Sequence, residues 1–169
     1  QFVNHSQHQL LNVVGNPVEY TLIHFKNLAV GVIPLEGDYV YLVGQYRYAI
    51  NAYSWELPEG GCPPGKKPLD AARWELAEET GLRADSLEPF LTMHTSNGVT
   101  DEQAIIFLAT ELTHGDAEPE ENEVLQIRKI SIDELLAAVE KGGITDAMTV
   151  AAAYKLALLK AQGKLPGQA

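Results

Sequence analysis

A single cysteine, Cys62, in 169 residues excludes an internal disulfide framework and any zinc site built from cysteines. Flanked by Pro63 and Pro64, it reads as a loop residue rather than a catalytic thiol. Long apolar runs are missing too. Nothing approaches the roughly 20 residues that a membrane helix needs. Gln1 to Leu10 also lacks the basic-then-apolar pattern of a signal peptide, so a soluble, cytoplasmic protein is expected. Basic residues are scarce, with 12 Lys and Arg against 23 Asp and Glu and a formal charge of −11. Such a balance argues against a nucleic acid or a membrane as partner and in favour of counter-cations.

What is present is a chain that is 46% hydrophobic, enough for a core, at a length that suits one domain. Val18 to Phe25, Leu28 to Pro34 and Tyr39 to Tyr46 are rich in Val, Ile and aromatic residues, and Glu36-Gly37-Asp38 is turn-like, which predicts consecutive strands. From Trp55 the texture turns to glycine and proline, through Pro58, Gly60, Gly61, Pro63, Pro64 and Gly65. No regular structure is expected there until a helix opens near Pro68, to close at Gly81. Leu87 to Met93 and Gln103 to Leu112 again read as strands, with Ala104 to Ala109 apolar enough to be buried. An acidic loop carrying Asp116, Glu118, Glu120, Glu121 and Glu123 precedes a strand expected over Val124 to Ile130. Ser131 with Glu134 is a capping-box signature for a helix ending at Gly142-Gly143. Thr145 or Asp146 opens a last helix to about Gln162, expected to pack on the sheet through Val150, Tyr154, Leu158 and Ala161. With neither repeat nor linker, the chain reads as one α/β domain, a mixed sheet flanked by helices.

The chemistry concentrates in Leu69 to Leu82. Leu69, Ala72, Leu76 and Ala77 form a candidate core stripe, while Glu75 and Glu79 lie four apart with Glu78 between their rows. Three carboxylates thus crowd one face toward the C-terminal end of a helix, where the macrodipole disfavours negative charge. A charge run on a helix is by default a solvated face. The alternative is a bound Mg²⁺ or Mn²⁺, since hard cations prefer carboxylate oxygens and keep waters that chemistry can use.

The surroundings of the glutamates favour the cation. Trp55-Glu56-Leu57-Pro58-Glu59-Gly60-Gly61, then Gly65, then Ala71-Ala72-Arg73-Trp74-Glu75-Leu76-Ala77-Glu78-Glu79-Thr80-Gly81-Leu82 resembles the Nudix box, laid from Gly60 to Leu82. Gly60, Glu75, Glu78, Glu79, Gly81 and Leu82 match that motif. Two positions depart from it: Lys66 stands at its first glutamate and Trp74 at the arginine that braces the metal-binding glutamates in the family. Lys66 and Arg73 are the candidate replacements for that brace. Outside the box, Gln45-Tyr46-Arg47, Gly98-Val99-Thr100-Asp101-Glu102 and Gly143-Ile144-Thr145-Asp146-Ala147 resemble the ADP-ribose pyrophosphatase branch, so the likeness covers about residues 18 to 160.

The resemblance implies a Nudix α/β/α sandwich, a mixed sheet between helices, with a small N-terminal β-sheet extension. Residues 1–17 would be an arm, in part disordered, and 18–169 the single Nudix domain, with 18–34 a strand extension exchanged between the subunits of a homodimer. It implies hydrolysis of a nucleoside-diphosphate sugar to a nucleoside monophosphate and a sugar phosphate. ADP-ribose leads as substrate. The branch's proline is absent from Thr95-Ser96-Asn97-Gly98, which keeps GDP-mannose and other nucleoside-diphosphate hexoses in view. Glu75 and Glu79, with the main-chain carbonyl of Glu59, would hold Mg²⁺ or Mn²⁺, and Glu78 would be a further ligand or outer partner. The acidic loop would bring Glu121 as general base and Glu123 as an extra ligand. Arg47 is the candidate contact to the diphosphate, Tyr46 and Trp55 are candidates to stack on the base, and Glu102 supports substrate or metal. His24, His94 and His114 are isolated and read as strand or loop residues. The rivals are a Nudix-fold binding module without turnover, which Lys66 and Trp74 keep open, and a triphosphate-sanitising pyrophosphatase, which the Gln45-Tyr46-Arg47 pattern disfavours.

Overall fold

The computed structural model of the chain describes residues 2–117 and 125–166. Along them run β1 (Val3–Leu11), β2 (Pro17–Phe25), β3 (Leu28–Glu36), β4 (Tyr39–Arg47), β5 (Ala52–Glu56), β6 (Glu59–Cys62), α1 (Pro68–Thr80), β7 (Leu82–His94), β8 (Gln103–His114), β9 (Gln126–Ser131), α2 (Ile132–Glu140) and α3 (Ala147–Ala161). β1 and β2 form a separate antiparallel hairpin, while the main sheet is ordered β5-β4-β3-β8-β7, with β6 on β3 and β9 on β4. The β3–β8 pair is parallel, from Ala29↔Ala104 to Pro34↔Ala109, which makes the sheet mixed.

Side-chain alternation along β3 and β8 builds the layers. Val30, Val32, Phe107 and Ala109 pack with Ala72 and Leu76 of α1. Ile33, Leu35, Ile106 and Leu108 face the other way, against Leu135 and Val139 of α2 and Ala152 and Leu156 of α3. The result is the α/β/α sandwich. The capping box at Ser131 and Glu134 is present in full, and Asp146, rather than Thr145, caps α3 by accepting the Thr149 amide. Among the described residues no helix is long and apolar enough to cross a membrane.

Four expectations need correction. The glycine-proline stretch does contain regular structure, because β5 continues to Glu56 and Glu59–Cys62 form β6, registered on β3 through Val30↔Gly60 and Ala29↔Gly61. Glycine there admits close neighbours, since a Cβ on Gly61 would come within 2.8 Å of the Asn27 side chain. The last helix docks on a different face from the one its larger apolar residues suggested. Met148, Ala152, Ala153 and Leu156 are buried, whereas Tyr154 and Leu158 are exposed. Met148, Ala152 and Leu156 recur four apart on the inner face, where the small alanines let the helix approach its neighbours closely, and Tyr154 and Leu158 fall on the opposite side. β7 begins at Leu82, ahead of Leu87, because it lies at the edge of the sheet and alternates buried Leu82 and Ala84 with exposed Arg83 and Asp85. Residues 3–11, read from sequence only as an arm, pair with β2 from Val3↔Phe25 to Leu11↔Pro17.

Candidate functional site

Helix α1 opens with Pro68 in its first turn and closes on Gly81, whose φ of +70° suits the left-handed cap. A Cβ at Gly81 would lie 2.5 Å from the Gly115 carbonyl oxygen, so glycine is also required by space. This ending fixes the last turn of the helix beside β6. Glu79 is 4% exposed there, and its Oε2 accepts the Glu59 amide N–H at 2.9 Å. A Cβ on Gly60 would fall 2.1 Å from Oε1 of Glu75, so the bare backbone of Gly60 is what admits that carboxylate. Glu75, Glu79 and the main chain of β6 therefore meet.

Arg47, at the end of β4, binds this junction from the other side. Its Nε–H donates to both carboxylate oxygens of Glu56, at 3.0 and 2.9 Å, and Nη2 donates to Glu56 Oε2 as well. Nη2 also reaches Glu59 Oε1 at 3.2 Å. Glu56 is 4% exposed, and this fork gives both of its carboxylate oxygens a charge-assisted donor. Its hydrogen bonds to Glu56 raise Arg47 above its usual pKa. Arg47→Ala would strand Glu56. The expected loss is roughly 2–3 kcal/mol of unfolding free energy, below the cost for a fully buried pair because Arg47 is partly exposed. Urea unfolding of the variant checks it.

Glu59 has the opposite balance. Burial pushes its carboxyl well above the usual range, the nearby charges of Asp146 and Glu56 add to this, and Arg47 only partly offsets them. Its Oε2 is buried without a hydrogen-bond partner. A carboxyl whose folded pKa is raised contributes stability that is complete below its unfolded value, near 4.5, and is lost as pH rises through the folded value. Without divalent cations, the wild type is therefore expected to lose stability as pH rises above the unfolded value near 4.5, and Glu59→Gln to lose less. Melting temperatures measured as pH rises are the check.

The residues present fit a hard divalent cation. The candidate donors are carboxylate and carbonyl oxygens, Glu59 offers a buried oxygen with no partner, and Gly60 leaves room for Glu75. Among the described residues no three His, Cys, Asp or Glu side chains converge into a ready-made metal-binding group. Glu121 and Glu123, named from sequence as base and extra ligand, lie outside the described residues.

Above the junction opens a cleft of about 480 Å³. Arg47, Glu59, Gly60, Glu102 and Asp146 supply its polar wall, and Phe2, Phe25 and Leu28 supply apolar surface. Glu102 accepts the Thr95 hydroxyl, and Asp146 is held by the Thr149 amide and hydroxyl at 2.7 and 2.8 Å. The Thr149 hydroxyl in turn accepts the Leu57 amide at 2.9 Å, which ties α3 to the segment leading into β6.

Residues 25–150 match the NUDIX domain family, a span that holds α1 and most of the cleft. The chain belongs to the Nudix family. It is 32% identical over 140 residues to the ADP-ribose pyrophosphatase of Bacillus subtilis (strain 168), covering 82% of this chain and 75% of that protein. It is 31% identical over 136 residues to the methanol dehydrogenase activator of Bacillus methanolicus, covering 79% and 74%. A crystal structure described as an ADP compounds hydrolase matches with a TM-score of 0.86 over 98% of this chain and 90% of that one, at 22% identity, which bears on the fold. The Nudix fold and the resemblance to the ADP-ribose pyrophosphatase branch are thereby borne out, and the chain is a Nudix hydrolase acting on pyrophosphate bonds.

Within this Nudix site the remaining sequence candidates are scattered. Glu78 lines a separate depression of about 370 Å³ with Trp74, Arg73 and Arg83. Trp74 is 69% exposed, Arg73 donates to the Ala84 carbonyl at 2.9 Å, and Lys66 is exposed in the loop before α1. Arg47, by contrast, is bonded to two carboxylates of the site, Glu56 and Glu59. Tyr46 is exposed, with its hydroxyl on Asn51, and Trp55 stands edge-on to Tyr53 at 5.6 Å with Arg128 over its ring at 5.8 Å. Neither lines the cleft. Sequence reasoning gave no role in the site to Glu56, Asp146 or Phe25. A glutamate within an otherwise uncharged strand, Ala52-Tyr53-Ser54-Trp55-Glu56, was the available signal for the first. A helix-capping aspartate close to a glycine pair was the signal for the second.

Proposed function

We propose that this Nudix hydrolase cleaves the diphosphate of a nucleoside-diphosphate sugar, giving a nucleoside monophosphate and a sugar phosphate. ADP-ribose is the leading substrate, with GDP-mannose and other nucleoside-diphosphate hexoses behind it. The observation that carries this reading is the cleft, whose volume of about 480 Å³ suits a nucleotide-sized ligand and whose wall joins Arg47 and Glu59 to Phe2, Phe25 and Leu28. The ADP-ribose pyrophosphatase of Bacillus subtilis supports the choice of leading substrate.

In this reading Glu75, Glu79 and the Glu59 carbonyl hold Mg²⁺ or Mn²⁺, with Glu78 as a further or outer partner. A bound cation neutralises the diphosphate and lowers the pKa of an attacking water. Arg47 keeps Glu56 and Glu59 fixed beneath the substrate and offers its remaining donors to the diphosphate. Glu102 orients the substrate from the far side of the loop, and Glu121 takes the proton, with Glu123 as an extra ligand. Tyr46 and Trp55 retain a role in substrate binding only through movement of the β4–β5 hairpin or a partner subunit. The protein acts as a homodimer, since the β1–β2 hairpin carries Leu11, Val13 and Val14 at 71%, 104% and 75% exposure, surface that a second copy would cover.

The test is a panel of ADP-ribose, GDP-mannose, UDP-glucose and a nucleoside triphosphate, with Mg²⁺ or Mn²⁺ and with chelator. Release of AMP from ADP-ribose in the presence of cation only is expected. Tight binding of ADP-ribose without turnover of any compound would favour the binding module, which Trp74 in place of the bracing arginine keeps as the second reading. Preferred hydrolysis of the triphosphate would overturn the substrate class.

A further inference from the structure

The β1–β2 hairpin pairs with no strand of the main sheet, yet it is stitched to the cleft along one edge. The Ile23 amide donates to the Val99 carbonyl at 2.9 Å, and the Asp101 amide donates to the Ile23 carbonyl at 3.3 Å. These two bonds make a short parallel bridge between Ile23 and Thr100. The Tyr20 hydroxyl adds a bond to the Gly98 carbonyl at 2.7 Å. The stitching ends on one carboxylate: Asp101 Oδ1 accepts the Phe25 amide at 2.9 Å, and Oδ2 pairs with the His24 ring.

Both neighbours of that carboxylate belong to the cleft. Phe25 lines it from the hairpin, and Glu102, next in the chain to Asp101, lines it from the loop while accepting the Thr95 hydroxyl. Asp101 thus joins two walls that no shared strand holds together. Its bond to the Phe25 amide, with help from His24, also keeps its carboxyl below the usual range, as expected for a charged acceptor in use. The His24 contact is exposed on both sides and contributes little, so the amide bond carries the latch.

We propose that Asp101 is a positioning residue for substrate binding, which sets Phe25 and Glu102 at a fixed separation across the cleft. The inference rests on the hydrolase reading for its substrate but not for its structural half. Asp101→Ala removes the acceptor, and Asp101→Asn retains one for the Phe25 amide. Hydrogen exchange at the Phe25 amide, measured without substrate, is expected to quicken about tenfold in the alanine variant and to stay within about threefold of wild type in the asparagine variant. With ADP-ribose and Mg²⁺, KM is expected to rise about tenfold in the alanine variant and to recover in the asparagine variant, with kcat changing much less. Unchanged exchange, or quicker exchange with an unchanged KM, would overturn the proposal. So would a fall in kcat that follows the melting temperature, since that is the mark of a merely structural role. If the wild type hydrolyses no sugar nucleotide, the proposed substrate class fails by itself. The dissociation constant of ADP-ribose then takes the place of KM, and the same outcomes decide.

Discussion

Glu79→Gln is expected to lower kcat on ADP-ribose at least about a hundredfold, the scale of losing a metal ligand, with the fold retained. Glu79 is 4% exposed, and its Oε2 accepts the Glu59 amide at 2.9 Å. Glutamine keeps the shape and one acceptor for that amide, so β6 stays registered on α1. What it removes is the negative charge, next to a Glu59 carboxyl already pushed up by burial and by Asp146 and Glu56. The cation-free variant is expected to stay folded, because relief of the crowding beside Glu59 counters the loss of the attraction between Glu79 and Arg47. Steady-state kinetics beside a melting curve separates the two effects. Loss of both activity and folding would mean that Glu79 serves the structure first.

The second large effect is expected from the smallest change, Gly60→Ala. The added methyl would sit 2.1 to 2.4 Å from the Glu75 carboxylate atoms. Those atoms are the far end of a flexible side chain, so the carboxylate swings away rather than the backbone giving way. Stability should fall by about 1 kcal/mol or less, the low end for a point substitution. Activity should fall about ten- to hundredfold, as for a displaced ligand or its support. Excess Mn²⁺ is expected to restore part of the rate, since displacement weakens cation binding without removing the carboxylate. A variant as active as wild type would show that Glu75 works from another rotamer and that Gly60 is required only for strand packing.

Much of this architecture is legible in the sequence because it rests on local rules. Gly81 ends α1, Ser131 and Glu134 form their capping box, and Ala104 to Ala109 form a buried strand, each for reasons contained within a few neighbouring residues. The glutamates of α1 are likewise legible, since their spacing and the flanking glycines form one continuous motif. The less legible features depend on what the residues meet in space. β6 looks like a loop until its glycines are seen beside Asn27 and Glu75. α3 turns Met148, Ala152, Ala153 and Leu156 inward rather than Tyr154 and Leu158, a choice between two apolar faces that only the packing partners decide. Arg47 looks like a ligand for phosphate, yet its Nε and Nη2 both bond Glu56, a partner nine residues away on the neighbouring strand. In that position it is a cation against two of the site's carboxylates, Glu56 and Glu59. The link from Asp101 to Phe25 joins residues 76 apart and has no sequence signature.

The most direct measurement is an anomalous difference map from crystals soaked with Mn²⁺ and a non-hydrolysable ADP-ribose analogue. A peak within bonding distance of the Glu75 and Glu79 carboxylates and the Glu59 carbonyl, with the diphosphate lying on it in the cleft, is the expected result. A peak in the depression between Glu78 and Trp74, or bound analogue with no cation beneath its diphosphate, would contradict it.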